Sequence, residues 1–223
     1  MNKHEIIRAI ELSAIAYQEV QPDNCSIFKV VDDKASDIYF ILRQSGDFLH
    51  ITFRGSNSLK DWKTDLTFWK QSIPYDNMRS AVRVHSGFLS AYKNPQIRGY
   101  ILKNIAPGIK KICITGHSYG AALAVLCAVD IAYNFPQMDI EVVTFGCPRV
   151  GNRAWKKSYN KRVHKTVRVE NGNDIVTKLP FGAWGFRHVG ARLHVGTTRV
   201  LGLFSFTQHG TSHYYSSILS KLL

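Results

Sequence analysis

The residues with the clearest chemical meaning are the pentapeptide Gly116-His117-Ser118-Tyr119-Gly120. It lies between a strand-like apolar run at residues 112–115 and a helix-like apolar run at residues 121–133. A serine on a sharp turn from strand to helix is lifted clear of the sheet, and glycines two positions to either side avoid collisions with the neighbouring strand and helix. The pattern and its flanks therefore predict that Ser118 is a nucleophile and not part of an ordinary turn.

A serine nucleophile needs a base to accept its proton and a carboxylate to hold the base, and after such a turn the carboxylate precedes the base in the chain. Asp174 follows the strand-like run at residues 163–169, at the strand end where α/β sheets collect functional groups. It is the best candidate for the acid. Asp139 precedes a strand-like run and Asp130 lies within the predicted helix, whereas Glu170 remains an alternative.

The base is a histidine that follows Ser118 in the chain. We prefer His213, which lies just before the last apolar segment, because a late loop can fold back over the edge of the sheet. His209 is its neighbour and remains a rival. The histidines that satisfy the chain order are His164, His188, His194, His209 and His213.

Acyl transfer also requires donors for the negative charge that develops on the carbonyl oxygen. The backbone amide after the nucleophile supplies one donor, and here it belongs to Tyr119. The second donor is expected in an early loop near Ser118. Ser56 ends the segment Phe53-Arg54-Gly55-Ser56, directly after a strand-like run, and offers both an amide and a hydroxyl.

These side chains have to be positioned by a sheet, and the hydrophobic periodicity indicates one. Strand and helix patterns alternate in the second half of the chain, which is typical of a mostly parallel sheet covered on both faces, and the fold class is α/β. The predicted helices cover residues 4–18, 86–106 with an interruption near Pro95, 121–133, 151–159 and 214–223, and the predicted strands cover 38–42, 48–53, 111–115, 140–145 and 163–169.

The composition favours one domain over residues 1–223. The chain is 45% hydrophobic and shows no change of composition that would mark a linker. Four cysteines are too few for a disulfide framework, and no pattern typical of zinc ligands occurs, so no metal and no cofactor are expected. The pairing of Cys25 and the oligomeric state stay open.

The charge is strongly positive: 29 Lys and Arg against 16 Asp and Glu give +13. Much of the excess falls between Arg149 and Arg168. A solvated face explains such a cluster most simply, and among partners an anionic lipid surface fits better than nucleic acid, because no nucleic-acid recognition motif accompanies the charge.

No apolar run reaches the roughly 20 residues that a membrane-spanning helix needs. Glu5, Arg8 and Glu11 interrupt the first apolar stretch, so a signal peptide is not apparent. We expect a cytoplasmic protein, or an extracellular one that arises by processing, lysis or a leaderless route.

Several blocks besides the pentapeptide match one family, in the family's order. They are Phe53-Arg54-Gly55-Ser56 with Asp61-Trp62 and Asp65-Leu66, Val84-His85-Ser86-Gly87-Phe88, Gly146-Cys147-Pro148-Arg149-Val150-Gly151-Asn152, and Asn173-Asp174-Ile175-Val176 through Leu179-Pro180 to His188-Val189-Gly190. With these blocks the chain resembles the class 3 lipases, the fungal-type α/β-hydrolases that hydrolyse triacylglycerols and related esters.

The resemblance implies an α/β-hydrolase fold with a short lid and a serine ester hydrolase that needs no cofactor. It implies a triad of Ser118, Asp174 and His213, with Ser56 and Tyr119 as the oxyanion hole. The lid corresponds to residues 57–65, where Leu59 and Trp62 are the apolar contacts. Trp184 and Phe186 are expected to line the acyl pocket.

The leading substrates are acylglycerols. Phospholipids cleaved as by a phospholipase A1 are the second class, because of the positive charge, and feruloyl-type esters are the third. A basic membrane-binding module without turnover is the alternative from a different class of protein, and a nucleic-acid binder is the last.

Overall fold

The computed structural model describes residues 1–18, 27–34, 37–56, 70–72, 78–197 and 204–223. Within them, a seven-stranded sheet has the order β1-β2-β3-β6-β7-β8-β9, and β4 pairs with β5 apart from it. The strands are β1 (Ile27–Asp33), β2 (Ile38–Ser45), β3 (Phe48–Phe53), β4 (Lys70–Ser72), β5 (Arg83–His85), β6 (Lys111–His117), β7 (Asp139–Phe145), β8 (Lys165–Asn171) and β9 (Ala191–Val195).

The strands β1, β2 and β3 pair antiparallel, and every pair from β3 to β9 is parallel. The chain ends that leave the parallel strands therefore meet at one edge of the sheet, where loops gather functional groups. The strands predicted at 38–42 and 48–53 are found as the antiparallel neighbours β2 and β3, whereas β1, β4, β5 and β9 were not predicted.

Six helices are described: α1 (Lys3–Ile15), α2 (Ser86–Lys93), α3 (Pro95–Lys103), α4 (Tyr119–Asn134), α5 (Arg153–Arg162) and α6 (Thr211–Leu222). The interruption predicted near Pro95 separates α2 from α3. Asn94 caps α3 by accepting a hydrogen bond from the Gln96 amide at 3.0 Å, and Pro95 takes the first helical position, where a missing N–H is tolerated.

Helices cover both faces of the sheet, as the alternating pattern predicts. On one face, α2, α3, α4 and α5 enclose the larger core, which includes Phe40, Phe53 and Trp155. On the other face, α1 and α6 pack over β7, β8 and β9, around Phe145 and Tyr214. The α/β class and the mostly parallel sheet are confirmed. Among the helices described, none has the length and apolar character needed to cross a bilayer.

Candidate active site

Ser118 occupies the sharp turn between β6 and α4. Its φ and ψ angles are +58° and −125°, in the left-handed region that L-residues rarely adopt. The flanking glycines are required by close packing: a Cβ on Gly116 would lie 2.5 Å from the Gly120 oxygen, and a Cβ on Gly120 would lie 2.5 Å from the Phe53 oxygen. The turn therefore has the geometry that the sequence pattern predicts.

The Ser118 hydroxyl is buried inside the protein. The residue is 2% exposed, and its amide is held by the Phe145 oxygen at 2.9 Å. Its Oγ is buried and makes no hydrogen bond with the residues described. An unpaired buried hydroxyl is costly in a protein interior, and such groups persist mainly where function needs them.

Asp174 lies beyond the end of β8 and is 1% exposed. Its Oδ1 accepts a hydrogen bond from the Val176 amide at 2.9 Å. Its Oδ2 lies 2.8 Å from Nδ1 of His209 and accepts a hydrogen bond from the Tyr214 hydroxyl at 2.6 Å. Both oxygens of the Asp174 carboxylate thus accept hydrogen bonds, and because a carboxylate oxygen accepts, Nδ1 of His209 is the nitrogen that carries the proton.

The structure does not bring the preferred His213 to Asp174: His209, its rival, contacts Asp174 instead. A short 3₁₀ helix at Thr207–His209 turns His209 inward, and Ser205 pairs with Asp174 just before it. His213 is exposed on the first turn of α6. Its neighbour Tyr214 is buried, and successive helical residues are rotated by about 100°, so His213 faces solvent.

His209 also lies beside the serine turn. Its ring centroid is 4.5 Å from that of His117, and its backbone oxygen is 2.7 Å from Nε2 of His117. On the other side, a Cβ on Gly146 would lie 2.7 Å from Cε1 of His209. The remaining nitrogen of His209, Nε2, is buried and makes no hydrogen bond with the described residues. A free imidazole nitrogen and a free hydroxyl thus occur in adjoining parts of one buried site.

The loop after β3 contacts the serine turn directly. A Cβ on Gly55 would lie 3.1 Å from Cβ of Ser118 and 2.9 Å from the His117 oxygen. Ser56 follows, so the loop predicted to supply an oxyanion donor lies next to Ser118. Tyr119 is the first residue of α4, where backbone amides have no partner within the helix. Its ring packs on Phe88 at 5.8 Å between centroids.

The other acidic candidates are engaged elsewhere. Glu170, the open alternative, is buried at the end of β8 and pairs with Arg192 at 2.8 Å, Lys178 at 3.3 Å and also Arg168. Asp130 forms a bidentate pair with Arg98 within the helical layer. Asp139 begins β7, at the opposite edge of the sheet, as the sequence predicted.

Trp184, which we expected to line the acyl pocket, is 43% exposed and stacks edge-on against Phe181 at 4.9 Å. Phe186, in contrast, is buried and lies 6.2 Å from the ring of His85, which itself packs on Phe88. The proposed lid at residues 57–65, with Leu59 and Trp62, lies outside the described residues, as does Cys25.

A metal site is not found: within the part of the chain that is described, no cluster of three or more His, Cys, Asp or Glu side chains could hold an ion. Cys113, Cys127 and Cys147 are free thiols. Burial raises the pKa of the Cys113 thiol to about 11 and that of Cys147 to about 12, so both are protonated, weak nucleophiles near neutral pH.

Two contact residues were missed in the sequence. Tyr214 holds Asp174 and also accepts a hydrogen bond from the Asn171 amide at 3.2 Å. Tyr17, just beyond α1, accepts a hydrogen bond from the Gly55 amide at 3.0 Å. Each is an aromatic residue with a polar tip at the boundary of an apolar segment, a type that usually finds a partner when it is buried. The position of such a tyrosine in the sequence indicates that it forms a hydrogen bond, but it does not identify the partner.

Comparison with known protein families matches residues 50–184, more than half of the chain, to the model described as "Lipase (class 3)". A lipase of Rhizomucor miehei is 35% identical over 150 residues, which cover 64% of this chain and 40% of that protein. The chloroplastic phospholipase A(1) DAD1 of Arabidopsis thaliana is 34% identical over 147 residues, 58% of this chain and 33% of that protein. The chain therefore spans less than half the length of these relatives.

Among solved structures, a triacylglycerol lipase whose catalytic centre is described as a serine protease triad superposes with a TM-score of 0.75. The two share 29% sequence identity, and the match covers 88% of this chain and 80% of the other. The similarity therefore extends beyond the sequence blocks to most of the sheet and its helices.

Proposed function

The chain belongs to the class 3 lipase family, and we propose that it hydrolyses carboxylic esters of lipids through a triad of Ser118, His209 and Asp174. The observation that carries this proposal is the hydrogen bond of 2.8 Å between His209 Nδ1 and Asp174 Oδ2, beside a turn that presents the Ser118 hydroxyl. The triad differs from the one predicted from the sequence only in its base.

The chemistry follows from the state of each side chain. Asp174 keeps the proton of His209 on Nδ1, so the lone pair on Nε2 is free to accept the proton of the Ser118 hydroxyl. As the proton leaves, Oγ attacks the ester carbonyl carbon and the carbonyl oxygen becomes negatively charged. The amide of Tyr119 and the amide and hydroxyl of Ser56 are the donors we assign to this oxyanion.

The imidazolium of His209 then gives its proton to the leaving alcohol, and the acyl group stays on Ser118 as an ester. Water enters, loses a proton to His209 and attacks the acyl carbon. The bond from the acyl carbon to Ser118 Oγ then breaks, and Oγ takes the proton back from His209, which restores the serine and the neutral imidazole and releases the carboxylic acid. All proton transfers use groups of this chain, so the proposal requires no cofactor.

Acylglycerols are the substrate class we propose, because the Rhizomucor miehei relative is a lipase and the superposed structure is a triacylglycerol lipase. Phospholipids are the second class, favoured by the similarity to a phospholipase A(1) and by the net charge of +13. We further propose that the enzyme contacts anionic lipid surfaces and that residues 57–65, with Leu59 and Trp62, act as a lid.

A fluorophosphonate probe tests the proposal, since it labels only activated serines. We expect labelling of the wild type and hydrolysis of a short soluble ester, both lost in Ser118→Ala. The matched control is Ser212→Ala, which removes an exposed hydroxyl and retains both activities. If the wild type is not labelled and yet binds liposomes, the chain is a membrane-binding module and the proposed hydrolase activity is wrong.

A further inference from the structure

The loop that leads away from Asp174 carries a pair of aromatic rings on the protein surface. Phe181 is 41% exposed and Trp184 is 43% exposed, and their rings meet edge to face. They flank Gly182 in a short 3₁₀ helix, Gly182–Trp184. Exposed aromatic pairs are costly in water, and rings of this kind are favoured at the interface between lipid and water.

Two guanidinium groups lie beside Gly182, in the same loop as the aromatic pair. A Cβ on Gly182 would lie 3.8 Å from Nη1 of Arg187 and 3.9 Å from Cζ of Arg149. Arg187 donates to the Gly182 oxygen at 2.7 Å, and Arg149 donates to the Pro180 oxygen at 2.9 Å. Both groups are held by the backbone of the loop, and neither forms an ion pair with a described carboxylate.

Two adjacent cations that have no carboxylate partner among the described residues favour an anion between or above them. Burial, together with the like charge of Arg187, lowers the pKa of Arg149. Guanidinium groups match the geometry of phosphate oxygens. A phosphate placed here would therefore relieve the repulsion, and carbonyl oxygens alone cannot neutralise it.

The positive surface continues from the loop onto α5. The Arg187 amide donates to the Gly151 oxygen at 2.7 Å, and Asn152 caps α5 by accepting from the Trp155 amide at 2.9 Å. Trp155 and Tyr159 face the core, and α5 has no acidic residue. Its exposed cations, which make no ion pair with the described residues, are Arg153, Lys156, Lys157, Lys161 and Arg162.

This surface borders the candidate active site. Arg149 follows β7, whose last residue, Phe145, accepts the hydrogen bond of the Ser118 amide. Phe181 lies in the segment that begins at Asp174. Both loops leave the sheet at the edge where the parallel strands end, so the aromatic pair and the serine turn belong to the same edge of the sheet.

We propose that Phe181, Trp184, Arg149 and Arg187, together with the cationic face of α5, form a docking surface for lipid bilayers that contain anionic phospholipids. The rings enter the interface, the arginines bind lipid phosphate, and α5 supplies long-range attraction to the negative surface. This inference rests on the proposed function, because it names the surface on which the enzyme would meet its substrate.

Vesicle sedimentation tests the proposal in the Ser118→Ala background, where turnover does not alter the lipid. The probes are vesicles of phosphatidylcholine alone and of phosphatidylcholine with phosphatidylglycerol. We expect sedimentation with the anionic vesicles only. Lys156→Gln with Lys157→Gln should weaken it by roughly fivefold for each cation removed, and Phe181→Ser with Trp184→Ser should weaken it further without changing the thermal unfolding midpoint by more than a few degrees.

The matched control is Lys103→Gln with Lys110→Gln, which removes the same charge from two exposed lysines away from this surface. It should change the vesicle affinity by less than about twofold. Equal losses of vesicle affinity in the two lysine double variants would show that net charge alone binds lipid and would overturn the docking surface. Equal binding to both kinds of vesicle would overturn it as well. Hydrolysis of a soluble ester by the wild type is measured separately, so failure of the catalytic proposal is distinguished from failure of this one.

Discussion

The hydroxyl oxygen of Tyr17 lies 2.8 Å from Nδ1 of His117, and this contact joins the loop after β3 to the loop that carries His209. The directions of the hydrogen bonds follow from the acceptors. The His209 carbonyl can only accept, so Nε2 of His117 donates to it, and Nδ1 accepts from the Tyr17 hydroxyl. Burial, with the charge of His209, keeps the pKa of His117 well below its usual range, so the ring is neutral.

The same hydroxyl oxygen accepts the hydrogen bond of the Gly55 amide. One chain of hydrogen bonds therefore runs from Gly55 through Tyr17 and His117 to the backbone of His209. It connects the loop of Ser56, the proposed oxyanion donor, with the loop of His209, the proposed base, and it includes His117 of the serine turn. Tyr17 and His117 are positioning residues in this arrangement, since neither is expected to touch the reacting atoms.

Tyr17→Phe removes the hydroxyl at the centre of this chain and keeps the ring. We expect kcat for a soluble ester to fall about tenfold, which corresponds to one lost hydrogen bond of ordinary strength, while KM stays nearly constant. Steady-state kinetics separate the two constants. Tyr133→Phe, at a tyrosine that is 58% exposed, is the control and should change neither. A rise in KM with unchanged kcat would mean that Tyr17 acts on binding and not on positioning.

His209→Ala removes the base that we propose. We expect kcat to fall by roughly 10⁴-fold or more, as for the loss of a triad histidine. His213→Ala changes an exposed side chain, and we expect less than about a twofold effect on kcat. Ester hydrolysis by the two variants under identical conditions decides between the rings. If His213→Ala is the inactive variant, the arrangement around Asp174 is not the one used in catalysis.

Gly146→Ala tests the space that the dyad occupies. The added Cβ would lie 2.7 Å from Cε1 of His209 and 3.1 Å from Oδ2 of Asp174, and the φ angle of +60° disfavours alanine. We expect the free energy of unfolding to fall by about 1 kcal/mol because of the backbone conformation alone. We also expect kcat to fall, because the His209 ring must move. Gly108→Ala is the control, since no atom lies within 4 Å of its Cβ position. Wild-type kcat in Gly146→Ala would contradict the packing.

The free energy of unfolding should fall as the pH is lowered from 7 to 5. Burial lowers the pKa of His50 and of His85 to about 4 and that of His188 to about 2, and the pKa of His117 is also depressed. In the unfolded chain these groups titrate near the ordinary histidine value of about 6.5. The unfolded state therefore takes up protons first, and each group costs at most about 1.4 kcal/mol per pH unit below that value.

Urea unfolding at the two pH values measures this difference. His85→Phe should reduce it, because neither ring nitrogen of His85 has a hydrogen-bond partner among the described residues and phenylalanine fits beside Phe88. Most carboxylates are ionised at both pH values, so they contribute little. Equal free energies of unfolding at pH 5 and pH 7 would show that the buried histidines are charged in the native state.

The sequence by itself determined the turn at Ser118, the alternation of strands and helices in the second half of the chain, and the position of the candidate acid Asp174 beyond a strand. A serine that has a positive φ angle between close-packed neighbours needs glycines two positions before and after it, as Gly116 and Gly120 are here. That requirement is local in the sequence. The alternation of apolar runs likewise reports burial on both faces of a parallel sheet. Asp174 could be located because it follows a strand, and parallel strands end at one edge.

Only the tertiary structure decided between His209 and His213. Both satisfy the chain order, and their separation in the sequence is about one helical turn. The choice depends on the start of α6 at Thr211 and on the pairing of Ser205 with Asp174, which fix the direction of each ring. The hydrogen-bond partners of Tyr17 and Tyr214 could not be predicted from the sequence for the same reason. Their partners lie far away in the chain, and hydrogen bonds between distant segments leave no periodic pattern in the sequence.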